Sequence, residues 1–349
     1  MGILGIFTLL GIAYLLSNNR RKINYRLVIW GLTIQLIFAL LILKSPFGKE
    51  VFSYIDTIVY RMISFSDAGS DFLFKSFIPG VGFHEGLINF AFRALPTIIF
   101  FSGLMAVFYH FGIIQFIVKW IAKLMQKTMG TSGSETLSIS ANIFVGQTEA
   151  PLMIRPFLKG MTNSELLTIM TGGMATIAGG VMAAYIQMLG SAFAEAYNMT
   201  IPEAQIMFAT HLLGASLMAA PAALVISKII YPETEVPETM GSVKVDIEKN
   251  ASNVVEAAAG GAGEGLKLAL NVGAMLLAFI ALIALINYFL GWVGDFTGLN
   301  AMLLESYNTE LSLQFIFGVV LQFLAFAIGV PWESAMQFGS LIGTNTVTG

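Results

Sequence analysis

Glu149 sits in the turn Gly146-Gln-Thr-Glu-Ala-Pro151, between the apolar runs Ser138-Ile-Ser-Ala-Asn-Ile-Phe-Val145 and Leu152-Met-Ile154. A carboxylate at membrane depth costs at least ~3 kcal/mol unless a ligand, cation or dipole answers it. Gln147 and Thr148 add an amide and a hydroxyl, so one short turn offers the donors and acceptors that suit a polar, uncharged ligand. Glu333, in Gly329-Val-Pro-Trp-Glu-Ser334, makes a second acid-bearing break far along the chain. Two such breaks point to a polar binding site at mid-membrane, hence to a transporter. A plainer alternative stays open at each. Gln147 and Thr148 could satisfy backbone groups freed by the turn while Glu149 pairs with Arg155, and Glu333 could do the same beside Pro331 and Trp332.

Asn142 and Thr176 carry oxygen atoms of the kind Na⁺ accepts, although each alone is more often a helix-packing residue. His84, His110 and His211 form no metal triad, and Gly260-Gly-Ala-Gly263 lacks the strand–helix context of a phosphate loop. No nucleophile elbow or dinucleotide fingerprint is present, so an intramembrane enzyme using Glu149 and Glu333 as an acid pair would lack its nucleophile or metal ligand. The expectation is that the protein is not an enzyme.

The chain is 56% hydrophobic and 11% charged, against roughly 25% charged for a soluble domain. Its net charge of −3 implies no nucleic-acid partner, and the absence of cysteine excludes disulfides and thiolate chemistry. It is an integral membrane protein in contact with the lipid bilayer. Residues 1–16 have no basic n-region or Ala-x-Ala site, so they form a first membrane helix with its N-terminus outside rather than a cleaved signal.

Basic clusters fix the topology. Arg20, Arg21, Lys22 and Arg26 are cytoplasmic by the positive-inside rule, as are Lys119, Lys123 and Lys127, and no Lys or Arg follows Lys267. The expected fold is an all-α, multi-span helical transporter with two opposed re-entrant hairpins and inverted repeats. Residues 1–43 form two N-terminal membrane helices; 44–130 hold an interfacial helix, around the phenylalanines at 65–77, and a scaffold helix three. Residues 131–231 hold the first re-entrant hairpin with helices four and five, the transport domain, and 232–265 a mobile cytoplasmic loop. Residues 266–311 hold scaffold helix six and an outer connector, and 312–349 the second hairpin. Hairpin turns at membrane depth are tolerated only where protein buries them or a cavity is lined. Inside helix four, Thr171-Gly-Gly-Met-Ala-Thr-Ile-Ala-Gly-Gly180 allows either close helix packing or a break that presents carbonyls to an ion.

Five blocks in order give these features a family. They are Asn142-Ile-Phe-Val-Gly-Gln-Thr-Glu-Ala-Pro151, Met170-Thr-Gly-Gly-Met-Ala-Thr-Ile-Ala-Gly179, His211-Leu-Leu-Gly-Ala-Ser216 with Ala220-Pro221, Asn271-Val-Gly-Ala-Met-Leu-Leu-Ala-Phe279, and Gly329-Val-Pro-Trp-Glu-Ser334. With them the sequence resembles the concentrative nucleoside transporter family, of the bacterial, sodium-coupled type. The resemblance implies a homotrimer in the cytoplasmic (inner) membrane that imports uridine, cytidine, adenosine or a similar nucleoside by Na⁺ symport and an elevator-type movement. It implies that Gln147, Thr148 and Glu149 face the nucleobase, that Val181 packs against it, and that Glu333 binds the ribose hydroxyls. It places Na⁺ on Asn142, Thr176 and the carbonyl of Ile177. Proton-coupled members tend to carry Gln-Ser-Glu at the first tip, so Gln-Thr-Glu here favours Na⁺ over the alternative, H⁺. Transport of another small polar solute on the same plan also stays open. The resemblance implies that family members continue beyond Gly-Ser-Leu-Ile-Gly-Thr344 into a helix with an Asn-Glu-Phe-Val-Ala-Tyr motif, which contributes an Asn and a Ser to ribose binding, and then one more helix. This sequence ends Asn345-Thr-Val-Thr-Gly349, so the expectation is a chain without those ligands, and a transport-incompetent fragment is a further alternative.

Overall fold

The computed structural model describes residues 2–45, 95–147, 150–240 and 251–348. All regular elements among the described residues are helical. They are α1 (Gly2–Leu15), α2 (Tyr25–Leu43), α3 (Leu95–His110), α4 (Ile113–Met129), α5 (Gly133–Asn142), a 3₁₀ limb (Ala150–Gly160), α6 (Asn163–Ala175), α7 (Gly179–Tyr197), α8 (Ile201–Ile230), α9 (Val254–Thr297), α10 (Leu299–Tyr307), α11 (Leu313–Ala327) and α12 (Trp332–Thr348), besides a single 3₁₀ turn at Arg20–Lys22. The interfacial helix expected around 65–77 lies outside the described residues, as do Thr148 and Glu149.

Among the described residues, four segments are long and apolar enough to cross a membrane: Tyr25–Ile42, Asn163–Ala194, Ile201–Ile230 and Val254–Thr297. Two further pairs, α3 with α4 and α11 with α12, are bent by 76° and 118°. On α2 and α9, apolar side chains such as Ile29, Leu36, Leu277 and Phe289 stay exposed, as befits helices that face lipid rather than water. The first bend falls at Gly112, whose φ of +80° only glycine adopts without strain.

Beyond that bend, α4 was not foreseen as a separate helix. Ile114, Val118, Ala122, Met125 and Met129 form its buried stripe, while Phe116, Trp120 and three lysines, Lys119, Lys123 and Lys127, face outward. An apolar and aromatic flank beside a basic one is the pattern of a helix lying in the membrane interface.

The chain divides into two compact units, residues 16–269 and residues 1–15 with 270–349. In the first unit, the limbs of the first hairpin pack between α4 and α6. Leu137 and Ala141 of α5, with Ala150, Met153 and Ile154 of the 3₁₀ limb, meet Val118 and Ile169 in one buried cluster. Three helices of this unit begin with Ser/Thr-x-x-Glu capping boxes, Ser132–Glu135, Thr162–Glu165 and Thr200–Glu203, each satisfying backbone donors that a helix start leaves open.

Two of these boxes merge into a buried network at the base of the hairpin. Ser132 Oγ and Ser134 Oγ donate to Glu165 Oε1 at 2.5 and 3.0 Å. Lys228 near the end of α8, 4% exposed, pairs with Glu135 Oε2 at 2.8 Å and Glu233 Oε2 at 3.2 Å, and donates to Ser164 Oγ at 2.9 Å. Thr239 closes the network from the segment that follows, through Ser134 Oγ at 2.8 Å.

The expected loop 232–265 needs correction at its end, because α9 is already helical at Val254. The Pro, Glu, Ala and Gly content of 232–265 suggests a mobile connection, but two glycines at its end, Gly261 and Gly265, are packing contacts. A Cβ on Gly261 would stand 2.7 Å from the Ser102 carbonyl, and one on Gly265 would stand 2.8 Å from Ile99 Cα, so α9 lies directly against α3. Glycine here shortens the helix–helix distance rather than loosening the chain.

In the second unit, α11 and α12 form the second hairpin. Gly339 and Gly343, one turn apart on α12, face Gln322 and Phe317 of α11 at distances that leave no room for a side chain. Asn287 of α9 caps the start of α11, accepting from Leu313 N–H at 2.8 Å and donating to Gln314 Oε1 at 2.9 Å.

The buried ion pair gives a stability prediction. Lys228→Met leaves Glu135 without its cation and should destabilise the protein by about 3–5 kcal/mol. The double variant Lys228→Met/Glu135→Gln should recover much of that loss in detergent thermal-unfolding scans. Equal destabilisation by the single and double variants would mean the pair does not set the stability of this base.

Candidate functional site

At the end of the α5 limb, Gln147 and the Phe144 carbonyl meet a break in the membrane span formed by α6 and α7. The Gly-rich run allowed either a packed helix or a broken one, and the structure has the break: α6 stops at Ala175, Thr176 turns extended (φ −115°, ψ 158°), and α7 starts at Gly179. Glycine lets this break press against the end of α5. Gly179 N–H donates to the Phe144 carbonyl at 3.1 Å, and a Cβ on Gly179 would stand 2.9 Å from that same oxygen. A Cβ on Gly173 would stand 3.0 Å from Gln147 Cβ, and one on Gly172 would stand 2.7 Å from Ile139 Cγ1. From α8, Ser216 Oγ donates to the Ile143 carbonyl at 3.4 Å. Both readings therefore hold at once: the chain breaks at Thr176–Ala178, and the glycines on either side, Gly172, Gly173 and Gly179, are the ones that pack.

Asn142 is the last residue of α5 and is 1% exposed. Neither its Oδ1 nor its Nδ2 has a hydrogen-bond partner. Leaving a buried amide unanswered costs about 1–3 kcal/mol for each orphaned group, a cost that a bound cation or water at this position would remove. Thr176 Oγ1 donates to the Gly172 carbonyl at 2.9 Å and keeps its lone pairs for an acceptor role. The C-terminal ends of α5 and α6 both lie at this junction and carry the negative ends of their helix dipoles. Oxygen donors and negative dipole ends together form an environment for a small cation.

Ile177 packs against the buried cluster of Phe101, Met182, Ala183, Ile186 and Ala209, which leaves its backbone in the break. Val181 lies in the first turn of α7 and is half-buried. Gln147 is exposed at the turn that ends the α5 limb. Asn142, Gln147, Thr176, Ile177 and Val181 thus belong to the same unit and the same junction of α5, α6 and α7. Glu333 belongs to the other unit, in the first turn of α12, and is exposed. Its turn is shaped by Trp332, which packs edge-on against Phe326 with ring centres 5.5 Å apart, and by Gly329 at φ +111°.

The base network of Glu135, Glu165 and Lys228 lies outside the expected site residues, although part of its signal is local. Ser132-x-x-Glu135 and Thr162-x-x-Glu165 each spell a capping box next to an apolar run.

A membrane-spanning helical protein whose polar tip meets a broken span is built as a secondary transporter, and comparison with known proteins agrees. Residues 4–77 match the N-terminal region of Na⁺-dependent nucleoside transporters, 91–192 the nucleoside recognition (Gate) domain, and 211–349 the C-terminal region of Na⁺-dependent nucleoside transporters. An uncharacterized transporter of Haemophilus influenzae is 45% identical over 98% of this chain and 75% of its own length. The nucleoside permease NupC of Helicobacter pylori is 38% identical over 98% of this chain and 75% of its own. Mouse sodium/nucleoside cotransporter 1 is 39% identical over 97% of this chain, which spans 47% of that relative. Among solved structures, CNTnw in an inward-facing substrate-bound state superposes with TM-score 0.80 at 40% identity, covering 98% of this chain and 75% of that one. A CNTnw variant in an intermediate state superposes with TM-score 0.83 at 40% identity, covering 98% and 76%. The chain belongs to the Na⁺-dependent nucleoside transporter family. Its relatives are multi-pass membrane transporters rather than enzymes.

The close fit at the break yields opposite outcomes for two glycines. Gly179→Ala forces a Cβ onto the Phe144 carbonyl and should lower stability by about 1–3 kcal/mol. Gly260→Ala, whose Cβ meets nothing within 4 Å, should raise it by up to about 1 kcal/mol through helix propensity. Thermal unfolding of both variants in the same detergent checks the contrast. A neutral Gly179→Ala would mean that the break does not rest on the α5 tip.

Proposed function

We propose that this protein imports nucleosides across the cytoplasmic membrane by Na⁺ symport. The observation that carries this reading is the buried Asn142 side chain, bare on both polar atoms, at the junction of two helix C-termini and the broken span. The names of its relatives support the substrate class, since they include a nucleoside permease and sodium/nucleoside cotransporters.

In this reading Asn142 Oδ1, Thr176 Oγ1 and the Ile177 carbonyl hold Na⁺, which offsets part of the negative charge nearby. Gln147, Thr148 and Glu149 bind the nucleobase edge, Val181 packs on its face, and Glu333 accepts hydrogen bonds from the ribose hydroxyls. A carboxylate takes two donors at once, so vicinal hydroxyls or a base edge can replace the water that Glu149 and Glu333 give up. An uncharged nucleoside brings no charge of its own into the membrane. The cation then links uptake to the Na⁺ gradient and to the membrane potential. Movement of residues 131–231 and 312–349 as a transport domain against a scaffold, in a homotrimer, is the elevator form of this mechanism.

The test is uptake of radiolabelled uridine and adenosine into proteoliposomes with and without an inward Na⁺ gradient. Uptake that follows the gradient and is competed by unlabelled nucleoside is the expected result. Insensitivity to Na⁺ with a steep pH dependence would make the coupling ion a proton. Separately, Glu149→Gln should weaken nucleoside binding severely in calorimetric titrations, whereas unchanged affinity would remove Glu149 from the base site.

A further inference from the structure

α5 carries a second buried polar side chain without a partner, one helical turn from Asn142. Ser138 is fully buried, and its Oγ has no hydrogen-bond partner. Its neighbours along the same helix differ in this respect. Ser132 and Ser134 donate to Glu165, Thr136 Oγ1 donates to the Ser132 carbonyl, and Ser140 Oγ faces Met125 Sδ at 3.8 Å. A helical serine has an easy local remedy, a bond to the carbonyl four residues back, and Thr136 takes it while Ser138 does not. Residues four apart stand over one another on the same helix face, with Cβ atoms about 5–6 Å apart. Ser138 Oγ therefore lies on the Asn142 face of α5, on the side toward the helix start.

We propose that Ser138 is a further ligand of the coupling-cation site, supplying its hydroxyl oxygen from below the Asn142 amide, directly or through one water. The inference rests on the sodium-coupled reading of Asn142 and deepens it. Two observations carry it independently of the family: both side chains are buried without a partner, and they share one face one turn apart. A hydroxyl and an amide oxygen are neutral donors, so they bind Na⁺ without adding charge to a site that must empty on the inner side in each cycle. Ser138 also continues the polar face of α5 from Asn142 toward Ser134, whose hydroxyl already touches Glu165. A cation at Asn142 therefore has an oxygen one turn nearer the carboxylates at the hairpin base.

The experiment compares Ser138→Ala, Asn142→Ser and the control Ser140→Ala in the purified transporter, titrating NaCl against choline chloride at constant ionic strength. Two quantities are measured: the Na⁺ dependence of uridine affinity, and the Na⁺-induced rise in thermal midpoint without nucleoside. Removing a truly unpartnered buried hydroxyl leaves no donor orphaned, so Ser138→Ala should not lower the midpoint in choline. It should weaken apparent Na⁺ affinity about tenfold and shrink the Na⁺-induced rise, while Ser140→Ala matches the wild type. A midpoint in choline that falls, with unchanged Na⁺ affinity, would make Ser138 a packing residue and overturn the proposal. Unchanged Na⁺ affinity in Ser138→Ala alongside a loss in Asn142→Ser would reject Ser138 and keep the site. Unchanged affinity in both would reject the sodium reading of Asn142 itself.

Discussion

A chain that crosses hydrocarbon must satisfy its own charges and backbone polar groups, because no water is there to do it. Among the described residues that constraint is met by a dense network at the base of the first hairpin. Lys228 stands between Glu135 and Glu233, with Ser164 as a third partner, and the hydroxyls of Ser132 and Ser134 carry the network on to Glu165. Each contact joins a different piece of chain: the start of α5, the start of α6, the end of α8 and the segment beyond it. Truncating one member leaves the others charged and buried, which makes the base costly to disturb.

The rest of the first unit follows from that anchoring. α5 has only ten residues, about 15 Å at helical rise, so fixing its start leaves little freedom at its end. At that end the break between α6 and α7 receives it, through Gly179 and the Phe144 carbonyl and through Gly173 against Gln147. The contrast between the two ends is chemical. At the base, polar groups are paired with one another; Asn142 at the far end of α5 and Ser138 one turn before it are not.

Glycine does two jobs in this chain, and only the structure tells them apart. Composition alone makes 232–265 resemble a linker and leaves Thr171–Gly180 undecided between packing and breaking. In the first case neighbouring helices take up the missing side chains, with α9 resting on the backbone of α3 at Ser102 and Ile99. In the second, the small residues allow the chain both to break and to be packed against. Single-sequence patterns cannot separate these, because a glycine is small wherever it stands and its use depends on what approaches it. The same limit applies to α4, whose lysines marked a side of the membrane in sequence but whose buried stripe is defined by α5 and the 3₁₀ limb packing on it.

By itself the sequence determined the class of molecule, the positions of its two acid-bearing segments and, through five ordered blocks, the family. These are properties of composition and of local residue order, which survive without coordinates. Only the tertiary structure decided that Thr176 lies in a true break, that this break rests on the end of α5, and that Lys228 answers Glu135 from 93 positions along the chain. It also decided that Asn142 and Ser138 are buried without partners. Whether a polar side chain is answered depends on atoms brought from distant segments, and no window of sequence contains both sides of such a contact.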